Sequence, residues 1–382
     1  MIDFSLSEEQ QLVQKMARDF AQSEIAPYAA EYDRSGDYPE EIVKKAFNAD
    51  LVYGVIPEQY GGGGLGALDQ LLIAEELSAA CAGIGSCIAI NSLAAIPLIY
   101  FGSEQQKEEL LSKICSEEKK MALCVTEPGA GSDVAAMSST AKKDGAKYLL
   151  SGNKTFITNG GLADYYIVFA SVDRALGHKG ITAFWVPRDL PGVSVGKKED
   201  KMGQRAANTT DVIFDQVEIP EEYRISEEGQ GFKIIMKTFN HSRPGVGASA
   251  VGVARSAMEY ALKYAAEREQ FGMPILMHQA VMFMIADMAK DIEAGRLLAW
   301  QAAWKGSQGL DNSKEAAIAK VFCGDMVMRV TTDAAQVLGG YGYVKDYPVE
   351  KLMRDAKVFQ IYEGTAQIQR LLIGRSLFKE YF

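Results

Sequence analysis

The residues best suited to chemistry in this chain include a carboxylate near the C-terminus. Glu363 stands in Tyr362-Glu363-Gly364, at a break between two helical patterns. A carboxylate held in a pocket can act as a general base, because burial raises its basicity. Most of the chain's 50 acidic residues are expected to be solvated surface groups, so residue type alone leaves both interpretations of Glu363 open.

A second candidate is the turn-like segment Thr126 to Asp133, with the sequence TEPGAGSD. Its small residues and backbone N–H groups could lie against a flat cofactor or hold an anion. The alternative is an ordinary β-turn, which Gly, Pro and Asp also favour. The segment is not a Rossmann fingerprint, because Val134 stands where the third glycine belongs.

Two arginines could bind an anionic ligand. Arg243 lies in an apolar stretch beside Pro244, which predicts an interruption of the helix there. Arg268 ends a helical pattern, where a cation can also serve as a simple C-terminal cap. For each arginine the ligand contact and the plain structural role both stay open.

Composition excludes several classes of function. The formal net charge of −10 argues against a nucleic-acid partner, which needs a basic surface. The five cysteines form no C-x-x-C pair, and the three histidines have no ligand spacing. We therefore expect buried, reduced thiols and no metal site.

The chain shows no sign of membrane insertion or export. Its apolar stretch from Ile88 to Phe101 is interrupted by Asn91, Ser92 and Pro97, and is too short to cross a bilayer. The N-terminus begins MIDFSLSEEQQ, without a basic segment followed by an apolar one. We expect no signal or transit peptide, and a bacterial cytoplasmic location.

Three compositional blocks must position these residues. Residues 1–120 have helical periodicity, with capping boxes that begin at Ser7 and Ser103. Residues 121–231 contain short β-prone runs separated by turn residues, including KYLLSG and KTFIT as separate strands. This spacing predicts an antiparallel sandwich or barrel.

Residues 232–382 return to helical patterns. They predict long helices over 254–268, 277–308 and 314–338, packed antiparallel as in a four-helix bundle. The predicted fold class is therefore a multidomain α+β protein, with an N-terminal helical domain, a middle antiparallel β-barrel-like domain and a C-terminal helical bundle. The predicted domains are 1–120, 121–231 and 232–382.

Five motifs, in order and spanning most of the chain, resemble the acyl-CoA dehydrogenase family. They are CVTEPGAGSD, KTFITNGG, REQFGMPI with Gln279, QVLGGYGY and RDAKVFQIYEGTAQIQR. The chain is most similar to short- and medium-chain members. The resemblance implies FAD at a subunit interface, a homotetramer built as a dimer of dimers, an acyl-CoA substrate and transfer of electrons to an electron-transferring flavoprotein.

The resemblance also implies roles for individual residues. Glu363 matches the base that removes the α-proton while the β-hydride passes to the flavin. The implied acyl-CoA contacts are Ser132, Asn240, Arg243 and Gly364. The implied FAD contacts are Leu123, Val125, Thr126, Gly131, Ser132, Phe156, Ile157, Thr158, Arg268, Gln270, Phe271, Gln279, Gln336, Val337, Gly339, Gly340, Thr365 and Gln367, of which Gln336 to Gly340 would come from a neighbouring subunit.

Several positions depart from parts of the family. Ser242 stands where some relatives carry the base as a Glu, which strengthens Glu363 as the sole base. Gly85 stands where decarboxylating glutaryl-CoA relatives have an Arg, and Phe156 stands where many members have a Trp.

Asn91 is an unusual polar residue in the helix that the resemblance places along the acyl pocket. It either caps backbone groups inside the bundle or contacts the acyl tail. Ala89 and Ile90 beside it keep an alicyclic substrate open. An acyl-CoA oxidase and a non-catalytic CoA- or flavin-binding subunit are further alternatives.

Overall fold

The computed structural model describes residues 4–382, so the first residues of the MIDFSLSEEQQ segment lie outside the described part.

The N-terminal region is helical, with short 3-10 and π turns between its α-helices. At its start, Ser7 Oγ accepts a hydrogen bond from Gln10 N at 3.2 Å, and Gln10 Oε1 accepts one from Ser7 N at 3.0 Å. Ser103 and Gln106 form the same box, so both predicted helix starts are confirmed. The α-helices are α1 (Glu8–Phe20), α2 (Ala29–Ser35), α3 (Glu40–Asn48), α4 (Ala67–Phe101), α5 (Glu104–Gln106) and α6 (Ser112–Ser116).

The prediction that the apolar stretch ending at Phe101 is too short to cross a bilayer is wrong, because the stretch belongs to the long helix α4. This helix runs through Asn91, Ser92 and Pro97 and is kinked at Cys81, so the apolar stretch is part of a helix of 35 residues and is not a short segment. By length and composition it could cross a membrane, but the core helix of a soluble protein has the same properties. Here α4 packs against α1 and against the strand that begins at Met121.

The middle region is one eight-stranded sheet. The strands are β1 (Met121–Cys124), β2 (Thr140–Asp144), β3 (Lys147–Thr158), β4 (Tyr165–Ser171), β5 (Ile181–Pro187), β6 (Val193–Lys198), β7 (Thr209–Pro220) and β8 (Arg224–Ile225). Their order in the sheet is β6-β7-β3-β2-β4-β5-β8, with β1 paired to β4. Most neighbours are antiparallel, but β1 pairs with β4 in parallel, and one pair of residues joins β2 to β4 in parallel.

The prediction of separate KYLLSG and KTFIT strands is wrong, because both lie in β3. Strand β3 continues through Gly152 and pairs with β7 along its length. The register shifts twice, between Leu150 and Gly152 and again between Lys154 and Ile157. A bulge lets a strand bend without ending, so the residues that suggested a turn mark bulges instead.

The C-terminal region contains long packed helices and one small hairpin. They bury a core separate from the core of the sheet. The elements are α7 (Gly231–Glu267), β9 (Glu269–Gln270), β10 (Met273–Pro274), α8 (Gln279–Ser307), α9 (Ser313–Leu338), α10 (Val349–Ala356) and α11 (Ala366–Tyr381).

The predicted helix interruption at Pro244 is wrong, and the helix predicted from residue 254 begins at Gly231. Proline lacks an N–H, so Pro244 leaves the carbonyl of Asn240 without its helical donor. Asn312 Nδ2 donates to Asn240 O at 3.1 Å instead. Helix α7 therefore continues through the proline, because a side chain from the start of α9 replaces the missing bond.

Ion pairs join the two helical regions to each other. Glu75 and Glu76 on α4 are buried and contact arginines of three other helices: Arg18, Arg255 and Arg296. Such buried acids are stable only when they are paired. The observed order of helical, β and helical regions confirms the predicted fold class.

Candidate active site

Glu363 lies in a short turn between α10 and α11. Its φ is 53°, and that of Gly364 is 93°, so two consecutive residues have left-handed backbone. This conformation costs a residue with a side chain about 1–2 kcal/mol. The surrounding contacts must therefore hold the turn in place.

Three side chains hold the turn through its two carbonyl oxygens. Arg243 Nε donates to Glu363 O at 3.3 Å, and Lys320 Nζ donates to Gly364 O at 2.7 Å. Gln369 Nε2 donates to Glu363 O at 3.3 Å and to Gly364 O at 3.0 Å. These donors lie on α7, α9 and α11, so three helices fix the direction of the Glu363 side chain.

The carboxylate of Glu363 receives much less support than its backbone. Within residues 4–382 its one hydrogen-bond donor is Ser242 Oγ on α7. Burial raises the pKa of Glu363, and the Ser242 hydrogen bond with the charges of Arg243 and Lys320 offsets only part of the rise. The result is a carboxylate that binds a proton more readily than an exposed one.

The backbone N–H of Glu363 is free to bind a ligand. Over the described part of the chain it donates to no protein acceptor. A buried N–H normally has a partner. A base and an unused donor on the same residue can remove a proton from carbon and stabilise the negative charge that develops on an adjacent carbonyl oxygen.

Arg243 and Asn240, two predicted substrate contacts, lie together on α7. Arg243 Nη1 donates to Asn240 Oδ1 at 3.2 Å, and the guanidinium faces the Phe239 ring at 5.6 Å. Burial lowers the pKa of Arg243, but a guanidinium stays charged in proteins. The pair therefore places a fixed positive charge beside the turn of Glu363.

The glycine-rich segment after β1 lies beside the exposed ring of Phe156. Thr126 O accepts a hydrogen bond from Thr155 N at 2.9 Å, which joins the segment to the second bulge of β3. Phe156 sits in that bulge with a φ of 57°, and it is 64% exposed. The bulge therefore turns an aromatic ring outward from the sheet.

Glu127 anchors this loop by accepting hydrogen bonds from Lys154, Ser138 and Ser139. Lys154 Nζ donates to it at 2.8 Å, Ser138 donates through N at 2.5 Å and Oγ at 2.6 Å, and Ser139 N donates at 3.1 Å. Burial alone would raise the pKa of Glu127, but Lys154 and the hydrogen bonds outweigh it and lower the pKa to about 2. This carboxylate is structural, and nothing in the TEPGAGSD segment distinguished it from the other residues of the loop.

Two predicted cofactor segments lie at exposed ends of elements in the C-terminal region. Phe271 and Gly272 form the turn between β9 and β10, with φ values of 55° and 80°, and Phe271 is 92% exposed. The 336–340 segment spans the C-terminal end of α9. No hydrogen bond among residues 4–382 links either segment to the Thr126 loop or to Glu363.

The other predicted cofactor and substrate contacts differ in exposure. Thr365 and Gln367 line a half-open cavity of about 470 Å³. The buried positions are Val125, Ile157 and Val337. The half-buried positions are Leu123, Thr126, Thr158, Asn240, Gly364 and Thr365. The exposed positions are Gly131, Ser132, Arg268, Gln270, Gln279, Gln336, Gly339, Gly340 and Gln367.

The prediction that Asn91 contacts the substrate is wrong. Asn91 is 0% exposed. Its Nδ2 donates to Cys87 O at 2.9 Å and to Ile88 O at 3.2 Å, while its Oδ1 accepts from Met121 N at 2.9 Å. Asn159 Nδ2 donates to the same oxygen at 3.3 Å. The amide therefore joins α4 to β1 and has no surface left for a ligand.

Sequence reasoning missed Lys320 and Gln369, which hold the Glu363 turn. A signal was present for the lysine: Lys320 stands in AAIAKVF, a cation on an otherwise apolar helical stretch. A buried cation in such a place needs a specific partner. No comparable signal marked Gln369, since a glutamine in a C-terminal helix is ordinarily exposed.

Models of one protein family match nearly all of the chain. The acyl-CoA dehydrogenase N-terminal, middle and C-terminal domains match residues 7–118, 122–217 and 229–378. The chain belongs to the acyl-CoA dehydrogenase family. It is an oxidoreductase that carries out acyl-CoA dehydrogenation.

Individual relatives are similar over their full length. An acyl-CoA dehydrogenase of Bacillus subtilis is 45% identical, with 97% of this chain and 98% of the relative covered. The solved butyryl-CoA dehydrogenase of Megasphaera elsdenii is 42% identical, with a TM-score of 0.96 and coverage of 99% and 100%. A chain from a structure described as the electron transferring flavoprotein of Acidaminococcus fermentans is 44% identical, with a TM-score of 0.97 and the same coverage.

The cofactor of this acyl-CoA dehydrogenase is FAD, which is also bound in solved structures of relatives. The residues around the Thr126 loop fit such a group. A Cβ on Gly129 or Gly131 would meet no atom within 4 Å, so the loop presents an open backbone face. Beside it stand the exposed Phe156 ring and the half-buried Thr126 and Thr158, which suit a flat ring system with a polar edge.

Proposed function

We propose that this enzyme oxidises a short- or medium-chain acyl-CoA to the 2,3-enoyl-CoA, with Glu363 as the catalytic base. The observation that carries the proposal is the contrast at Glu363 between a firmly held backbone and a carboxylate that has a raised pKa and, among residues 4–382, a single donor. A base that must remove a weakly acidic C–H proton benefits from both features.

The residues around Glu363 have different roles in the proposed reaction. Glu363 takes the α-proton of the thioester, and its backbone N–H stabilises the charge that develops on the thioester carbonyl. Arg243 and Asn240 orient the substrate, together with Ser132 and Gly364. FAD, when bound, supplies the acceptor for the β-hydride. The bound acyl group excludes water from the carboxylate, which keeps its basicity high.

The segments around Phe271 and Gln336 complete the FAD site of a neighbouring subunit in this proposal. Supporting it are the exposure of Phe271 and the lack of hydrogen bonds from either segment to the Thr126 loop within residues 4–382. The assembly is a homotetramer. Phe271→Ala should lower the FAD content of the assembled protein, and an unchanged content with a stable flavin-loaded monomer would contradict the shared site.

The base assignment is tested by Glu363→Gln in single-turnover experiments. The variant should bind FAD and butyryl-CoA normally, yet anaerobic bleaching of the flavin should slow by at least about 1,000-fold, as expected when an essential group is removed. Glu227→Gln, which changes an exposed acid elsewhere on the chain, should bleach at the wild-type rate. Undiminished bleaching in Glu363→Gln would refute the assignment.

Chain length and electron acceptor need separate assays. A hydrophobic pocket separates neighbours that differ by one methylene by about 1–3 kcal/mol, so a panel of acyl-CoAs should give a graded profile. A maximum with an alicyclic acyl-CoA would establish the alicyclic alternative. We expect an electron-transferring flavoprotein as the acceptor, since that protein is named for one similar structure. Rapid peroxide formation in air would identify an oxidase instead.

A further inference from the structure

Lys320 lies directly behind the turn that carries Glu363. It is on α9, is 1% exposed, and its Nζ donates to Gly364 O at 2.7 Å. No carboxylate oxygen lies within 4 Å of its ammonium group among residues 4–382. A buried ammonium without a counter-ion is costly, so its position requires an explanation beyond ordinary ion pairing.

The arrangement of donors shows what the ammonium does there. A lysine that served only to neutralise Glu363 would donate to the carboxylate. Lys320 donates to the next residue's carbonyl, and Gln369 donates to the same oxygen at 3.0 Å. The bond therefore holds the left-handed backbone, while the charge acts through space and stabilises the ionised carboxylate of Glu363.

We propose that Lys320 is a positioning residue for the base: it clamps the left-handed turn at Gly364, and its charge favours the ionised form of Glu363. This inference rests on the proposed role of Glu363 as base. Lys320 touches neither the substrate nor the cofactor in this account. Its effects on catalysis all pass through the geometry and the ionisation of Glu363.

The charged groups that face Lys320 define the expected pH dependence. They are Glu363 in the turn, Arg243 on α7 and Asp325 on α9 itself. Burial lowers the pKa of Lys320 to about 8, with Arg243 adding to the effect and Glu363 opposing it. Lys320 is therefore charged at neutral pH. Removing its charge should raise the pKa of Glu363, so a higher pH would be needed to ionise the base.

Three substitutions separate the charge of Lys320 from its hydrogen bond. Lys320→Gln keeps a donor and removes the charge, Lys320→Arg keeps both, and Lys320→Met removes both. Lys314→Met is the matched control, because Lys314 lies on the same helix and pairs with Glu380 away from the turn. Each holoenzyme is mixed anaerobically with butyryl-CoA, and the limiting rate of flavin bleaching is measured across pH, after FAD content and thermal unfolding have been checked.

We expect the acid limb of the Lys320→Gln profile to move upward by about one pH unit, the size of shift that a nearby charge produces. Lys320→Arg should restore the limb. Lys320→Met should show the shift and also slow bleaching about 10- to 100-fold at every pH, as a misplaced catalytic group does. If Lys320→Met fails to fold, the Gln and Arg variants carry the test alone.

An acid limb that does not move in Lys320→Gln would overturn the proposal, and so would an equal change in Lys314→Met. Glu363→Gln is measured in parallel. Undiminished bleaching in that variant would refute the base assignment itself. An inactive Glu363→Gln together with an unmoved Lys320→Gln profile would refute only the role of Lys320.

Discussion

Glu127 and Glu363 each lie near a buried lysine, and burial acts to raise the pKa of both. The net pKa nevertheless differs in direction, because it is lowered at Glu127 and raised at Glu363. Lys154 donates directly to the carboxylate of Glu127, and Ser138 and Ser139 donate three further hydrogen bonds. At Glu363 the lysine donates to a backbone carbonyl, and Ser242 is the one donor to the carboxylate within residues 4–382.

The difference decides which carboxylate binds a proton more readily. Hydrogen bonds to the charged form offset the cost of burial, and at Glu127 they lower the pKa to about 2. At Glu363 burial prevails and raises the pKa. The same residue type is thus a loop anchor in one region and the proposed base in the other, because the neighbouring donors bind the carboxylate of Glu127 but mainly the backbone at Glu363.

The largest expected effect is on stability at Glu127. Glu127→Gln should lower the free energy of unfolding by about 3–5 kcal/mol, because it leaves the ammonium of Lys154 buried without its counter-ion. Urea unfolding at neutral pH measures the change. Glu218→Gln is the matched control. Glu218 on β7 pairs at the surface with Lys147, which lies on β3 as Lys154 does.

Acid unfolding gives a second measure of the same anchor. The pKa of Glu127 is about 2 in the folded protein and 4.5 ordinarily. Its contribution is therefore present above pH 4.5 and is lost as the pH falls from 4.5 through about 2. Glu127→Gln should remove this part of the acid dependence. A loss of stability no larger than that of Glu218→Gln would contradict the anchor role.

A smaller effect is expected from removing the hydrogen bond that Ser242 donates to the carboxylate of Glu363. Ser242→Ala should raise the pKa of Glu363 further, which moves the acid limb of flavin bleaching upward by about one pH unit, the equivalent of one lost hydrogen bond. Bleaching at high pH should stay near the wild-type rate. A limb at the wild-type position would show that Ser242 does not tune the base.

The smallest expected effect is a gain in stability from Glu363→Gln. The folded pKa of Glu363 is raised, so its ionisation weakens the fold as the pH rises above its ordinary value of 4.5. An amide avoids this, and we expect up to about 1 kcal/mol of added stability at neutral pH. Urea unfolding would contradict the comparison if Glu363→Gln were destabilised as strongly as Glu127→Gln.

The sequence predicted much of the fold, because periodicity and capping are local properties. The Ser7 and Ser103 boxes and the change from helix to strand and back could all be predicted. The continuation of α7 through Pro244 could not, because it depends on Asn312, which lies 72 positions from the Asn240 carbonyl to which it donates. The two runs in β3 were read as separate strands, because a bulge and a turn use similar residues.

The sequence could name candidate residues for the site but could not predict the electrostatic arrangement around Glu363. The motif around Glu363 marked the candidate base, and the resemblance supplied its role. The groups that act on its basicity, Ser242 and Arg243 on α7 and Lys320 on α9, are distant from Glu363 in sequence. The polar Asn91 showed the opposite problem, since its partners at Met121 and Asn159 became visible only in three dimensions.

The most direct test of the account is the ionisation of Glu363 in the folded holoenzyme. Infrared difference spectra between the wild type and Glu363→Gln, recorded across pH, isolate the carboxyl band of this residue, and spectra against Glu127→Gln do the same for the anchor. The account predicts that Glu363 takes up its proton above pH 4.5, while Glu127 stays ionised well below it. Protonation of Glu363 at or below the pH at which Glu127 is protonated would contradict it.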